Sequence, residues 1–389
     1  MDPVYLDHAA TTPVRPEVIE ALLPFLQSAW GNPSSSHRIG RNARAGLEQA
    51  KREVAEAVGV EPNEVIFTSG GTEADNLAII GAALAAQAAG KAMHVVTTAI
   101  EHKAAIASAH AVHRLGGRET ILPVDERGLV ELAAVDAALA DSPALVSVMW
   151  VNNEVGVVQP IAEIGARCSA AGVPFHSDAV QAFGKLPIDL AAAGCQLLSI
   201  SGHKIGAPKG IGALIVRNRK IIEAIIHGGG QQWGIRPGTE NVAGAVAMGR
   251  AAKLAAAELD SHVTRMVSLR DQLEDRIRVA IPDVHVHGHD APRAPHVLSI
   301  SIPGAEAGVL LMHLDMAGIC VSGGSACSTG AVEPSHVLTA MHVATPVAIS
   351  TMRFSLGHET SQTDIDRVID ALPGVVARAR EVGMALGRA

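Results

Sequence analysis

Aromatic side chains are scarce in this sequence: one tyrosine, five phenylalanines and three tryptophans, 2% of 389 residues. Apolar residues still make up 48%, so a large core can form, and much of it must be alanine. Cysteine is equally sparse, with only Cys168, Cys195, Cys320 and Cys327. No C-x-x-C pair exists, which leaves zinc ribbons and thioredoxin-type redox motifs unsupported. No run of about 18 apolar residues is present, so no membrane span is expected. The opening MDPVYLDHAATTP has neither a basic n-region nor an apolar h-region, so no signal peptide is expected. Four cysteines without a secretory signal suggest a reducing cytoplasm. The net charge is −8 and the basic residues are scattered, as in Leu115–Arg118 and Ile215–Lys220, so no direct nucleic-acid contact is expected. Eighteen histidines occur, but without H-E-x-x-H or similar spacing, so no metal site is assigned.

The length suggests two domains. Six short apolar runs punctuate the first part of the chain: EVIFTS (64–69), AMHVVTTAI (92–100), ALVSVMWV (144–151), VPFHSD (173–178), LLSISG (197–202) and GALIVRN (212–218). Helical patterns lie between most of them, including Arg41–Val58 and Ala74–Ala89. Continuously apolar strands separated by helices predict an α/β fold with a mainly parallel sheet covered on both faces. From Asn241 the pattern changes. An Ala- and charge-rich stretch to Ile281 reads as one or two helices. After it come strands at HVLSISIPG (296–304) and MRFSLG (352–357), and a last helix from Gln362. This part reads as a small α+β domain. The expected division is a large domain over 15–258 and a small one built from 1–14 and 259–389.

Three features sit at the ends of expected strands. GGTEADN (70–76) follows the first, and its Gly71 and Thr72 would open a helix whose N–H groups attract an anion. It is not a Walker A loop, because no G-K-[ST] follows. HSDAVQ (176–181) ends the fourth strand with Asp178, which reads either as a helix cap or as an acid facing a site crevice. SGHK (201–204) follows the fifth, and Lys204 reads either as a surface lysine or as a Schiff-base former. A phosphate cradle, an acid and a lysine, each at a strand end, together make the inventory of a pyridoxal phosphate (PLP) site. A Rossmann site would need G-x-G-x-x-G after the first strand, and it is absent. Arg353, inside MRFSLG, needs a partner: a substrate carboxylate or a structural salt bridge. Asn153 and Glu154 in VNNEVG suit either a turn or a substrate contact. His102 in AIEHKA suits a cap, or a ring that stacks and moves protons. SGGSACSTG (322–330) places Cys327 among residues no larger than threonine.

Together the segments YLDHAATTP, GNPSSSHRIGR, FTSGGTEADN, EHKA, VNNEVGVVQPI, HSDAVQAFGK, SGHKIGAPKGIG, GGGQ, RPGTEN, VSGGSACSTG and MRFSLG resemble, in order and over nearly the whole chain, the cysteine desulfurases of the NifS/IscS type. These belong to the class V aminotransferase group of PLP fold type I. The resemblance implies a seven-stranded-type sheet with helices on both faces, plus a small domain carrying the cysteine loop at about 322–333. It implies that Lys204 anchors PLP, Asp178 pairs with the pyridine nitrogen and Gln181 meets the ring's phenolic oxygen. His102 would stack on the ring and assist proton transfer. Gly71, Thr72, Ser201 and His203 would hold the phosphate. Thr239 would reach the phosphate of the other subunit's cofactor, which implies a homodimer. Asn32, Asn153 and Arg353 would hold the carboxylate of L-cysteine. Cys327 would take the substrate sulfur as a persulfide and pass it to an acceptor protein, for iron–sulfur cluster assembly, the family's commonest role, or for another sulfur-modification pathway. A selenocysteine lyase or another PLP C–S lyase is the alternative. The sequence departs from the family pattern at SGGSAC, at Ala207, and at Gln232 and Trp233, where an acidic residue and a smaller variation are expected.

Overall fold

Strands buried on both faces need helices above and below them, and that requirement sets the architecture. The computed structural model describes residues 3–323 and 334–385. Its strands are β1 (Val4–Tyr5), β2 (Val65–Thr68), β3 (His94–Thr98), β4 (Arg118–Leu122), β5 (Leu145–Ser147), β6 (Phe175–Asp178), β7 (Leu197–Ser201), β8 (Gly212–Val216), β9 (His285–Val286), β10 (Val297–Ser301), β11 (Ile319–Cys320), β12 (Ser322–Gly323) and β13 (Thr351–Ser355). The large sheet has seven strands in the order β2-β8-β7-β6-β5-β3-β4. Only β8 opposes its neighbours, pairing antiparallel with both β7 and β2. The expected mainly parallel sheet is therefore present, with β2 and β4 as its edges. β4 is the one strand of this sheet that the apolar pattern did not reveal. Its sequence, RETIL, is largely exposed at an edge and carries no continuous apolar run.

A four-stranded antiparallel sheet, β12-β13-β10-β9, lies in the second part of the chain, and β1 pairs parallel with β11. One apolar cluster surrounds Phe175, Val146 and Ile200 of the large sheet, and it also takes in Ala294, Val337, Leu338, Met341 and Ala348 from the later sequence. Another gathers Val4, Leu6, Ile300, Phe354 and Leu372 around the small sheet. The Ala-rich stretch is a single helix, Val242–Ala280, of 39 residues. Ala245, Ala247 and Met248 at its start enter the first cluster, and Leu269, Leu273 and Ile277 near its end enter the second. No helix among the described residues is long and apolar enough to cross a membrane.

Candidate active site

Five segments leave the large sheet at the C-terminal edge of its parallel strands, the edge where open α/β sheets place their ligands. They converge on a cavity of about 420 Å³. After β2 the chain turns through Ser69 and Gly70 into helix Gly71–Ala88, and Gly71 and Thr72 line the cavity. A Cβ on Gly71 would lie 2.8 Å from Cγ2 of Val180, so glycine is what lets this helix approach the turn after β6. The helix N-terminus brings free N–H groups and a partial positive charge to the cavity. Ser201 and His203, at the end of β7, complete that side of the wall.

After β3 comes His102. Its Nδ1 accepts the N–H of Ala104 at 3.2 Å, capping helix Lys103–Arg114, and the ring also lines the cavity. The capping expectation is met, and the cap leaves the ring facing the cavity. Burial lowers its pKa, with the nearby Asp178 carboxylate acting the other way. After β5 the turn is made by Asn152, whose Oδ1 accepts the N–H groups of Glu154 and Val155, each at 2.9 Å. That leaves Asn153 on the cavity wall.

Asp178 closes β6 and is 4% exposed. Its Oδ1 accepts the Val180 N–H at 2.9 Å. Burial raises its pKa, opposed by His102, by that hydrogen bond and by Lys204. Gln181 donates from Nε2 to the Ala9 carbonyl at 2.9 Å, while its Oε1 meets His296 Nε2 at 3.2 Å. The 3₁₀ turn Gly202–Lys204 follows β7, and Lys204 donates from Nζ to the carbonyls of Ala9 at 2.5 Å and Ala10 at 2.6 Å. Burial first, and then the charge of Arg353, brings its pKa down to about 8.

Arg353 arrives from β13 of the other sheet. It donates from Nη1 to the Asn153 carbonyl and from Nη2 to Asp7 Oδ1, each at 2.8 Å. The structural salt bridge is therefore real, and the side chain still lines the cavity. Its Nε is buried and has no partner among the described residues.

The cavity wall thus holds ten of the expected residues: Gly71, Thr72, His102, Asn153, Asp178, Gln181, Ser201, His203, Lys204 and Arg353. Two lie elsewhere in the single chain. Asn32 is exposed, and its Oδ1 accepts the Ser34 N–H at 2.8 Å. Thr239 is exposed beside a separate cavity of about 230 Å³. Cys327 lies outside the described residues. No cluster of three or more metal-type ligands occurs among the described residues.

Three buried groups escaped the sequence reading. Asp75 lines the cavity at 1% exposure, and burial and the charge of Asp178 hold its pKa well above the usual carboxylate range. Its place three residues after Thr72 puts it on the same helix face, and that spacing could have exposed it. Glu101 is fully buried beside His102; its Oε1 accepts the Thr98 hydroxyl at 2.7 Å and the Met149 N–H at 2.8 Å. Burial pushes its pKa up to about 8. Lys185 is buried and donates to the Lys204 carbonyl at 3.1 Å. Burial and the charge of Lys204 bring its pKa down to about 7. Nothing in the local sequence marks it.

The donor set suits PLP. A low-pKa amine, a buried carboxylate and a helix N-terminus face one cavity, and these match an aldehyde, a pyridine nitrogen and a phosphate. Comparison with known proteins agrees. A family model described as aminotransferase class-V matches residues 4–368. The cysteine desulfurase IscS of Dictyoglomus turgidum is 42% identical over 379 residues, covering 97% of this chain and 96% of that protein. The IscS-like cysteine desulfurase of Mycobacterium tuberculosis is 45% identical over 386 residues, 98% of each. A solved NifS-like protein superposes with a TM-score of 0.89 at 32% identity, over 97% of this chain and 100% of that one. The chain belongs to the class-V aminotransferase family, a family of PLP enzymes. Within that family it is of the NifS/IscS type.

Proposed function

We infer that this protein is a PLP-dependent cysteine desulfurase, which converts L-cysteine to L-alanine and transfers the sulfur to Cys327. The observation that carries this reading is the convergence of Lys204, Asp178 and the Gly71–Ala88 helix N-terminus on one cavity. Bound there, PLP supplies an electron sink for the substrate's Cα. Lys204 would anchor it, and a lysine pKa near 8 lets that amine take and release a proton near neutral pH. Asp178 would keep the pyridine nitrogen charged. Gln181 would bond the ring oxygen, with one of its two Nε2 hydrogens already committed to Ala9. Gly71, Thr72, Ser201 and His203 would hold the phosphate. His102, kept largely neutral by its lowered pKa, would stack on the ring and accept a proton. Arg353 and Asn153 would hold the substrate carboxylate, Arg353 through the guanidinium whose two Nη groups are shared between the Asn153 carbonyl and Asp7.

The overall change balances without an outside oxidant. The Cβ–S bond of cysteine breaks and an S–S bond forms on Cys327. The thiol proton of Cys327 and the electron pair left on carbon complete the methyl group of alanine. The described residues on either side of positions 324–333 are fixed to segments that reach the cavity. β12 pairs with β13 at Ser322 and Arg353. Ser335 donates to Glu154 Oε2, and His336 Nε2 lies 3.0 Å from the Glu101 carbonyl. Cys327 belongs to the segment between those anchors.

The remaining assignments extend this reading. A homodimer would bring Thr239 of one subunit to the cofactor phosphate of the other, in keeping with its exposed place in the single chain. Asn32 would join the carboxylate site only in such an assembly. Transfer of the sulfur to an acceptor protein in the cytoplasm, for iron–sulfur cluster assembly or another sulfur-modification pathway, completes the proposed role. The decisive experiment measures alanine and sulfide released from L-cysteine under reducing conditions by wild type and Cys327→Ser. Alanine from wild type with near-total loss in the variant supports the persulfide route. Equal alanine from both removes Cys327 from the mechanism and favours a lyase that does not use it.

A further inference from the structure

The segment from Gly228 to Asn241 carries two residues in the left-handed region, Gln232 at φ 45° and Trp233 at φ 60°. Non-glycine residues reach that region at a cost, and the surroundings must hold them there. Lys51 Nζ and the Arg219 guanidinium each lie 4.6 Å from the centre of the Trp233 ring. Gln232 is buried. Its Oε1 accepts the Phe67 N–H at 2.7 Å and its Nε2 donates to the Phe67 carbonyl at 2.8 Å. Phe67 belongs to β2, an edge strand paired only with β8. A side-chain amide has a donor and an acceptor spaced like a backbone unit, so Gln232 acts as a one-residue surrogate strand on that open edge. A carboxylate at position 232 could accept from Phe67 but could not donate to it.

The same segment makes a second attachment. Arg236 donates from Nε to Glu73 Oε1 at 2.9 Å, and Glu73 Oε2 accepts the Ser69 N–H at 2.8 Å. Phe67, Ser69 and Glu73 bracket the turn that presents Gly71 and Thr72 to the cavity. One attachment therefore grips the strand entering the turn, and the other grips the helix leaving it.

We propose that the 228–241 segment clamps the anion cradle, with Gln232 and Arg236 as positioning residues for the cofactor phosphate. This rests on the reading that Gly71 and Thr72 receive the phosphate. Neither residue lines the cavity with Lys204, so neither touches the cofactor site of its own chain directly. Gln232 and Arg236 also border the cavity beside Thr239, so the clamp sets where Thr239 leaves the fold.

The test compares PLP with pyridoxal, which lacks the phosphate, as ligands of apoenzyme. Dissociation constants are measured by fluorescence titration for wild type, Gln232→Leu and Arg236→Met, with circular dichroism as a check on folding. The expected result is a strong preference of wild type for PLP over pyridoxal. Each variant should lose about tenfold or more of that preference, the scale of one or two lost polar interactions, with pyridoxal affinity unchanged. An unchanged preference in both folded variants overturns the clamp. Equal losses for PLP and pyridoxal also overturn it, because they mark general damage to the fold. If wild type itself shows no preference, the cradle reading fails first and the clamp falls with it. Should Gln232→Leu fail to fold, Arg236→Met decides the matter, since it leaves the β2 edge intact.

Discussion

Replacing Gly71 by alanine tests the geometry of the cradle at one atom. At an ordinary helix position the change would be favourable by up to about 1 kcal/mol, because alanine is the better helix former. Here the new methyl group would lie 2.8 Å from Val180 Cγ2. Carbon atoms pack at about 3.5–4.0 Å, so something must move by roughly 0.7 Å. Overpacking of this kind costs about 1–3 kcal/mol. Because Val180 N–H holds Asp178 Oδ1 at 2.9 Å, the displacement acts on the cradle and on the acid together. The expected result is a roughly tenfold or greater weakening of PLP binding, with only a small change in thermal stability. Val180→Ala in the same chain should restore most of the affinity, giving a coupling of about 1–2 kcal/mol in a double-mutant cycle. PLP titration of the four apoproteins measures it directly. If Gly71→Ala binds PLP as wild type does, or if the two substitutions simply add, the close approach of helix and turn does not govern the site.

Glu101→Gln should stabilise the protein progressively as pH rises. The native carboxyl keeps its proton to about pH 8 while the unfolded one releases it near 4.5, so wild type loses stability as pH climbs through that window and the glutamine variant does not. The gap should be small at pH 5 and on the order of a few kcal/mol at pH 8; parallel melting curves at the two pH values would contradict the burial argument. Gly165→Ala would set a Cβ 1.9 Å from the Ala193 carbonyl oxygen, a backbone atom with no rotamer to yield. A loss of about 3 kcal/mol or more in urea unfolding, or failure to fold, is expected, and wild-type stability would refute the packing. Arg353→Lys keeps the charge but not the planar fork shared between Asn153 and Asp7. Steady-state kinetics should show the KM for cysteine rising about tenfold or more, with a smaller change in kcat; an unchanged KM would remove Arg353 from the carboxylate site.

The parts of the site that were legible in the sequence are those that sit where a strand ends. Gly71, Asp178 and Lys204 each follow an apolar run directly, so local pattern alone places them on one edge of a parallel sheet. His102 and Asn153 became specific only through the family resemblance, since a capping histidine and an Asn-rich turn look the same in isolation. Asp75, Glu101 and Lys185 were missed because their burial is a property of the packed layers, not of their neighbours in sequence. β4 was missed for the opposite reason: an exposed edge strand needs no apolar run. Gln232 stood out only as a departure from the expected acidic residue. Its meaning depends on Phe67, 165 residues away, and no local pattern carries that. Asn32 and Thr239 were identified by resemblance, and the single chain does not bring either to the cavity.

Helix Val242–Ala280 spans about 58 Å at 1.5 Å per residue. It is rooted at one end beneath the sheet that presents Lys204 and at the other beneath the sheet that presents Arg353. The helix is thus a spar common to both walls of the cavity: the wall that carries Lys204 and the wall that carries Arg353 are packed on one continuous element. The spacing of those two walls is therefore partly a mechanical property of the frame, set far from the atoms that line the cavity.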